Sequence, residues 1–174
     1  MRTVGSTSIF GLATVLLCGA AAIFVSCRAK AQVAAPTPPT EINLALNKPA
    51  TASGSYGTAA GPEKAVDGDT LTSWNSGRYP PAYIEVDLQD AYTINGISIM
   101  LNQSPAGQTE FEAWTYDGID SMLAARWSGA TKMGSRLETR FQPLLEGVRK
   151  VRIRAVSSPS WVSFFEVTVA GYPQ

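Results

Sequence analysis

Ala82-Tyr83-Ile84-Glu85-Val86-Asp87-Leu88 is the stretch that settles the fold class. Ile84, Val86 and Leu88 fall on one face and Glu85 and Asp87 on the other, the period of a strand with one side in a core. The same period recurs on both sides of it. Ile97, Ile99 and Leu101 share a face, and Phe111, Ala113 and Thr115 alternate with Glu112, Trp114 and Tyr116 before a turn at Asp117-Gly118. Val151, Ile153 and Ala155 alternate with Arg152 and Arg154, and Phe165, Val167 and Val169 close the series. No segment carries a sustained helical stripe with caps; Ser121 to Trp127 is at most one short turn. Short strands between Gly, Pro, Asn and Asp turns predict an all-β, two-sheet sandwich or jelly roll.

A second stretch, Lys64 to Trp74 (KAVDGDTLTSW), carries different chemistry. Asp67 and Asp69 flank Gly68, with a hydroxyl at Thr72. An oxygen-lined loop of this kind can wrap a hard cation such as calcium, glycine permitting the bend. The competing reading is that both aspartates cap turns through nearby backbone amides. Trp74 is expected in the core beneath the loop.

The termini bound the domain. Arg2, the apolar run Ile9 to Val25 and Ala29-Lys30-Ala31 read as an export signal over residues 1–31, cleaved before Gln32. An uncleaved anchor is the alternative, and a third is a lipid anchor at Cys27, preceded by Phe24-Val25-Ser26. Residues 32–41 form a Pro-rich spacer, and the domain is expected over 42–171, roughly 130 residues, enough for its own core. Both cysteines, Cys18 and Cys27, precede the expected cleavage. Loss of Arg2, Arg28 and Lys30 would leave eleven basic against fourteen acidic residues, a balance that does not attract nucleic acid or an anionic membrane.

The chain has no histidine. That removes the Ser-His-Asp relay, the Cys-His pair and imidazole metal ligands. Asp67 with Asp69, or Glu85 with Asp87, could be cast as a hydrolase's two carboxylates. The first pair is better explained by its loop and the second by the polar face of a strand, so the sequence reads as a binding protein rather than an enzyme.

Five pieces in order resemble the discoidin domain, also called the coagulation factor 5/8 type C domain, and the galactose-binding-like modules that share its fold. They are Asn43 to Ser53 (NLALNKPATAS), Ala65 to Trp74, Ile84 to Leu88, Val151-Arg152-Ile153 and Phe165-Glu166-Val167. The resemblance implies an eight-stranded jelly-roll β-sandwich with binding loops at one tip. It also implies a structural calcium ion, with carboxylates from Asp67 and Glu166, the Thr72 hydroxyl and carbonyl, and carbonyls of Lys64, Asp69 and Phe165. Sugar-binding relatives lay an aromatic ring against a sugar face while polar side chains read its hydroxyls. The matching candidates here are Tyr56, Arg78, Tyr79, Asn102, Gln103 and Trp161, on loops 53–60, 75–81, 102–105 and 157–163. The histidine that many galactose binders use is missing. The implied function is a secreted, calcium-stabilised carbohydrate-binding module for a glycan or glycosylated surface. The alternatives are adhesion to a protein receptor through the same loops, and a surface domain with no small ligand.

Overall fold

A computed structural model describes residues 39–173. The expected export signal, Cys27 and most of the Pro-rich spacer lie outside the described residues. Eight strands follow in chain order: β1 (Ile42–Asn43), β2 (Ala50–Ala52), β3 (Trp74–Asn75), β4 (Ala82–Leu101), β5 (Gly107–Tyr116), β6 (Ser121–Thr131), β7 (Arg136–Ser157) and β8 (Ser163–Tyr172). Two short 3-10 turns, Thr58–Ala60 and Pro62–Ala65, are the helical elements among the described residues.

The strands pair in the order β1-β8-β4-β7-β5-β6, with β2 added to β4 and β3 to β8. β4 and β7, 20 and 22 residues long, each serve both layers of the sandwich. In one layer Ala82–Asp87 of β4 lies between β2 and the Lys150–Ala155 part of β7, which continues to β5 and β6. In the other, Thr93–Leu101 of β4 lies between β8 and the Arg136–Arg140 part of β7, and β8 carries β1 and β3. This is the jelly-roll β-sandwich expected from the alternating pattern.

The corner of β4 explains why its two halves look separate in sequence. Ile84, Val86, Leu88 and Ile94 are buried at even positions, whereas Ile97, Ile99 and Leu101 are buried at odd ones. Register shifts between Asp87 and Gly96 insert the residues that change the parity, as β-bulges do. A similar irregularity between the Met100 and Leu101 pairings makes Phe164, not Phe165, the buried aromatic of β8. Ser121 to Trp127 is strand, not a helical turn: it pairs antiparallel with β5 from Phe111↔Trp127 to Tyr116↔Ser121.

The core fills the space between the layers. Trp74 and Phe164 lie 5.4 Å apart between ring centroids, and Phe111 and Phe164 5.6 Å. Each fully buried large apolar side chain contributes about 1.5–3 kcal/mol relative to exposure. Trp74 has no exposed surface, and its indole N–H donates to the Gly54 carbonyl at 2.9 Å. The core therefore anchors the loop that leads to Tyr56.

Candidate functional site

Backbone hydrogen bonds gather the loops at one end of the sandwich. The Tyr56 amide donates to the Asn75 carbonyl at 2.7 Å, and the Ser76 amide to the Val162 carbonyl at 2.8 Å. The Val162 amide donates to the Arg78 carbonyl at 3.1 Å, and the Asn102 amide to Ser163 at 3.0 Å. Ser163 closes the set by donating its hydroxyl to the Trp74 carbonyl at 2.6 Å. Segments far apart in sequence are thus held as one surface.

That surface contains a trench of about 330 Å³. Tyr79 and Trp161 supply aromatic walls, Asn75, Asn102, Ser104 and Ser160 supply polar atoms, and Pro105 forms an edge. Trp161 is 40% exposed and Tyr79 60%, so both rings remain available to a ligand. Tyr56 does not line the trench; its ring stands 5.3 Å from that of Trp161, tilted by 51°, and buttresses it. A tilted pair at this separation is favourable and restrains the indole.

The polar side chains are oriented by their neighbours. Asn75 Oδ1 accepts the Gly77 amide at 2.9 Å in a turn that Gly77 closes at φ 66°, a left-handed conformation suited to glycine. Asn102 Nδ2 donates to Ser73 Oγ at 3.0 Å. Ser160 Oγ donates to the Trp161 carbonyl at 3.1 Å.

Besides Tyr56, two more of the expected ligand residues lie outside the trench lining. Gln103 is 4% exposed, and its amide donates to the Thr131 carbonyl at 3.2 Å and accepts from the Thr131 hydroxyl at 3.0 Å. It is a structural tie beneath the tip. Arg78 is exposed but outside the trench lining; its guanidinium covers the Gly54 backbone, where an added Cβ would stand 2.8 Å from Nη2. Asn75, Ser104 and Ser160 were not singled out from sequence, because short polar residues in loops carry no signal until the loops converge.

The expected calcium centre is overturned. Among the described residues no group of three or more His, Cys, Asp or Glu comes together as a metal cluster. The 64–74 loop is closed by its own hydrogen bonds, the turn-capping alternative. Asp67 Oδ1 accepts the Asp69 amide at 3.0 Å, Asp69 Oδ1 accepts the Leu71 amide at 2.9 Å, and the Thr72 hydroxyl lies 2.8 Å from Asp67 Oδ2. Lys64 contributes an ammonium 3.6 Å from Asp67, not only a carbonyl. Asp69 is exposed and occupied with its own turn, so Asp67 and Glu166 are left without a third acidic partner.

Electrostatics set these two carboxyls apart. Burial opposes ionisation of Asp67, but the Asp69 amide, the Thr72 hydroxyl and Lys64 hold it below its ordinary value. Both carboxyl oxygens of Glu166 are buried without a hydrogen-bond partner. Burial first, then the neighbouring Asp67 charge and lastly that of Asp69, pushes Glu166 up to about 7, while the nearby Gly68 amide acts the other way.

A larger depression, about 380 Å³, lies at the far end of β5 around Tyr116, Met122, Leu144 and Glu146. It contains none of the residues expected to bind ligand.

A β-sandwich that carries an aromatic-walled trench with short polar side chains at its tip has the form of a binding module. The chain belongs to the F5/8 type C domain family, whose pattern matches residues 49–167. Among solved structures, it is 27% identical to chitosan-binding module 1 derived from the chitosanase/glucanase of Paenibacillus sp. IK-5, with 75% of this chain and 99% of that one covered and a TM-score of 0.60. Module 2 of that enzyme, in complex with chitotriose, is 25% identical over 73% of this chain and 98% of its own, with a TM-score of 0.59. The family 32 CBM from C. perfringens NanJ, in complex with galactose, has a TM-score of 0.65 over 75% of this chain and 99% of that one. At 18% identity it speaks for the fold alone. No curated protein matches the chain.

Proposed function

We propose that this protein is an extracytoplasmic carbohydrate-binding module whose ligand lies in the tip trench, against Trp161 and Tyr79, with Asn75, Asn102 and Ser160 reading its hydroxyls. The carrying observation is the trench itself: exposed aromatic walls beside amides already fixed by Gly77 and Ser73. A pyranose ring has an apolar face for the indole and hydroxyls that both donate and accept, and shallow wet sites of this kind suit it. The sugars named for the chitosan-binding modules support the class of ligand.

A protein receptor would favour a broad apolar tip. The trench lining instead combines two rings with short polar side chains, which favours a sugar. Attachment through one shallow site is weak, so useful retention would come from several copies on a glycan-coated surface.

The test is titration of the folded protein with soluble glycans, comparing the wild type with Trp161→Ala. Removing the central aromatic is expected to cost about 2 kcal/mol, roughly thirtyfold in affinity. Undiminished binding by the variant would remove the trench from the account.

A further inference from the structure

We propose that the trench is selective for uncharged sugar units and discriminates against both protonated amino sugars and uronates. This rests on the carbohydrate-binding reading above and names the ligand's chemistry within it. Among the described residues, no Lys, Arg, Asp or Glu lines the trench. Arg78, on the loop that carries Tyr79, lies outside the trench lining with its guanidinium beside the Gly54 backbone.

The hydrogen-bonding directions are set before a ligand arrives. Asn75 Oδ1 is occupied by the Gly77 amide, so what Asn75 offers is its pair of N–H donors. Asn102 gives one N–H to Ser73 and keeps Oδ1 and its second N–H. Ser160 gives its hydroxyl proton to the Trp161 carbonyl and keeps acceptor lone pairs. A sugar hydroxyl both donates and accepts and can satisfy all three. An ammonium only donates: Asn102 Oδ1 and Ser160 Oγ can accept from it, but the Asn75 donors are left unmet and it loses water without gaining a counter-charge. A carboxylate only accepts: the amide N–H groups of Asn75 and Asn102 can serve it, but Asn102 Oδ1 and Ser160 Oγ are left unmet and no cation lines the trench to offset its lost water. The chitosan-binding modules are named for a polymer of amino sugars; this trench lacks the acidic side chain that such a ligand calls for.

The experiment is titration of the protein at pH 5.5 and fixed ionic strength with matched oligosaccharides. Glucose, N-acetylglucosamine and galactose series are each tested beside their amino-sugar and uronate counterparts. Binding is expected in a neutral series, at least tenfold weaker for its charged counterparts, and roughly thirtyfold weaker throughout in Trp161→Ala. Asn75→Asp keeps the carbonyl-like oxygen that Gly77 needs and adds one negative charge. It is expected to move the amino-to-neutral affinity ratio at least tenfold toward the amino sugar, and added salt should reduce that gain. Charged sugars that bind the wild type as tightly as their neutral parents would overturn the selectivity and leave sugar binding standing. An unchanged ratio in folded Asn75→Asp would do the same. Absence of binding in every series would overturn both.

Discussion

Replacing Glu166 with Gln is expected to stabilise the protein at pH 8 and to do little at pH 4.5. Both carboxyl oxygens are buried without partners, and the group is pushed from 4.5 up to about 7 by burial and by Asp67. A carboxyl raised in the folded state binds more protons there than in the unfolded chain between those two values. Stability therefore falls as pH rises through that window, is intact below it and is fully reduced above it. A shift of this size corresponds to at most about 3 kcal/mol, which screening by nearby solvent reduces. Gln keeps the shape and removes the charge, while its own buried amide retains part of the desolvation cost. The expected gain is about 1–3 kcal/mol at pH 8, on the order of 3–9 °C in Tm for a domain of this size. Thermal and urea unfolding at pH 4.5 and 8, with chelator throughout so that no stray cation neutralises Asp67 and Glu166, provide the assay. A variant no more stable than the wild type at pH 8 would refute the reasoning, since the unpaired charge would then not be a burden.

Other expectations follow from single contacts. Gln103→Ala should cost about 1–3 kcal/mol of stability by unpairing the Thr131 carbonyl, while folded protein retains its sugar affinity; a selective loss of affinity would return Gln103 to the binding surface. Gly171→Ala should destabilise by about 2 kcal/mol or more, because its Cβ would stand 2.6 Å from the Thr93 carbonyl oxygen and the Leu44 side chain; urea midpoints measure this, and a neutral effect would mean that the β1–β8 edge yields easily. Tyr56→Ala should weaken sugar binding severalfold through Trp161, which loses its buttress, and less than Trp161→Ala does. Equal losses in parallel titrations would show Tyr56 touching the ligand itself.

The alternation of Ile84, Val86 and Leu88 was enough to read the sandwich, because a strand with one buried face writes its period directly into the chain. The same rule misplaced Phe165 and split β4 in two. Bulges insert residues and reverse parity, and they depend on the partner strand rather than on local sequence. The strand Ser121–Thr131 was missed since its pairing with β5, not its own pattern, holds it. At the tip, exposed aromatics were legible as candidates, and Trp161 and Tyr79 do share one trench. Arg78 and Gln103 were equally attractive by residue type. What separates them from the trench is where each side chain lies, Arg78 beside the Gly54 backbone and Gln103 tied to Thr131, and those neighbours are more than twenty residues away. Asp67 and Asp69 show the converse: their spacing serves both a cation loop and a turn cap, and the amides of Asp69 and Leu71 take the second option.

The most direct test of the central claim is a glycan array probed with folded, multivalently displayed protein, the wild type beside Trp161→Ala. The account expects a defined glycan to bind the wild type and to be lost with the variant at unchanged thermal stability. No glycan bound by protein shown to be folded, or a glycan held equally by both, would contradict it.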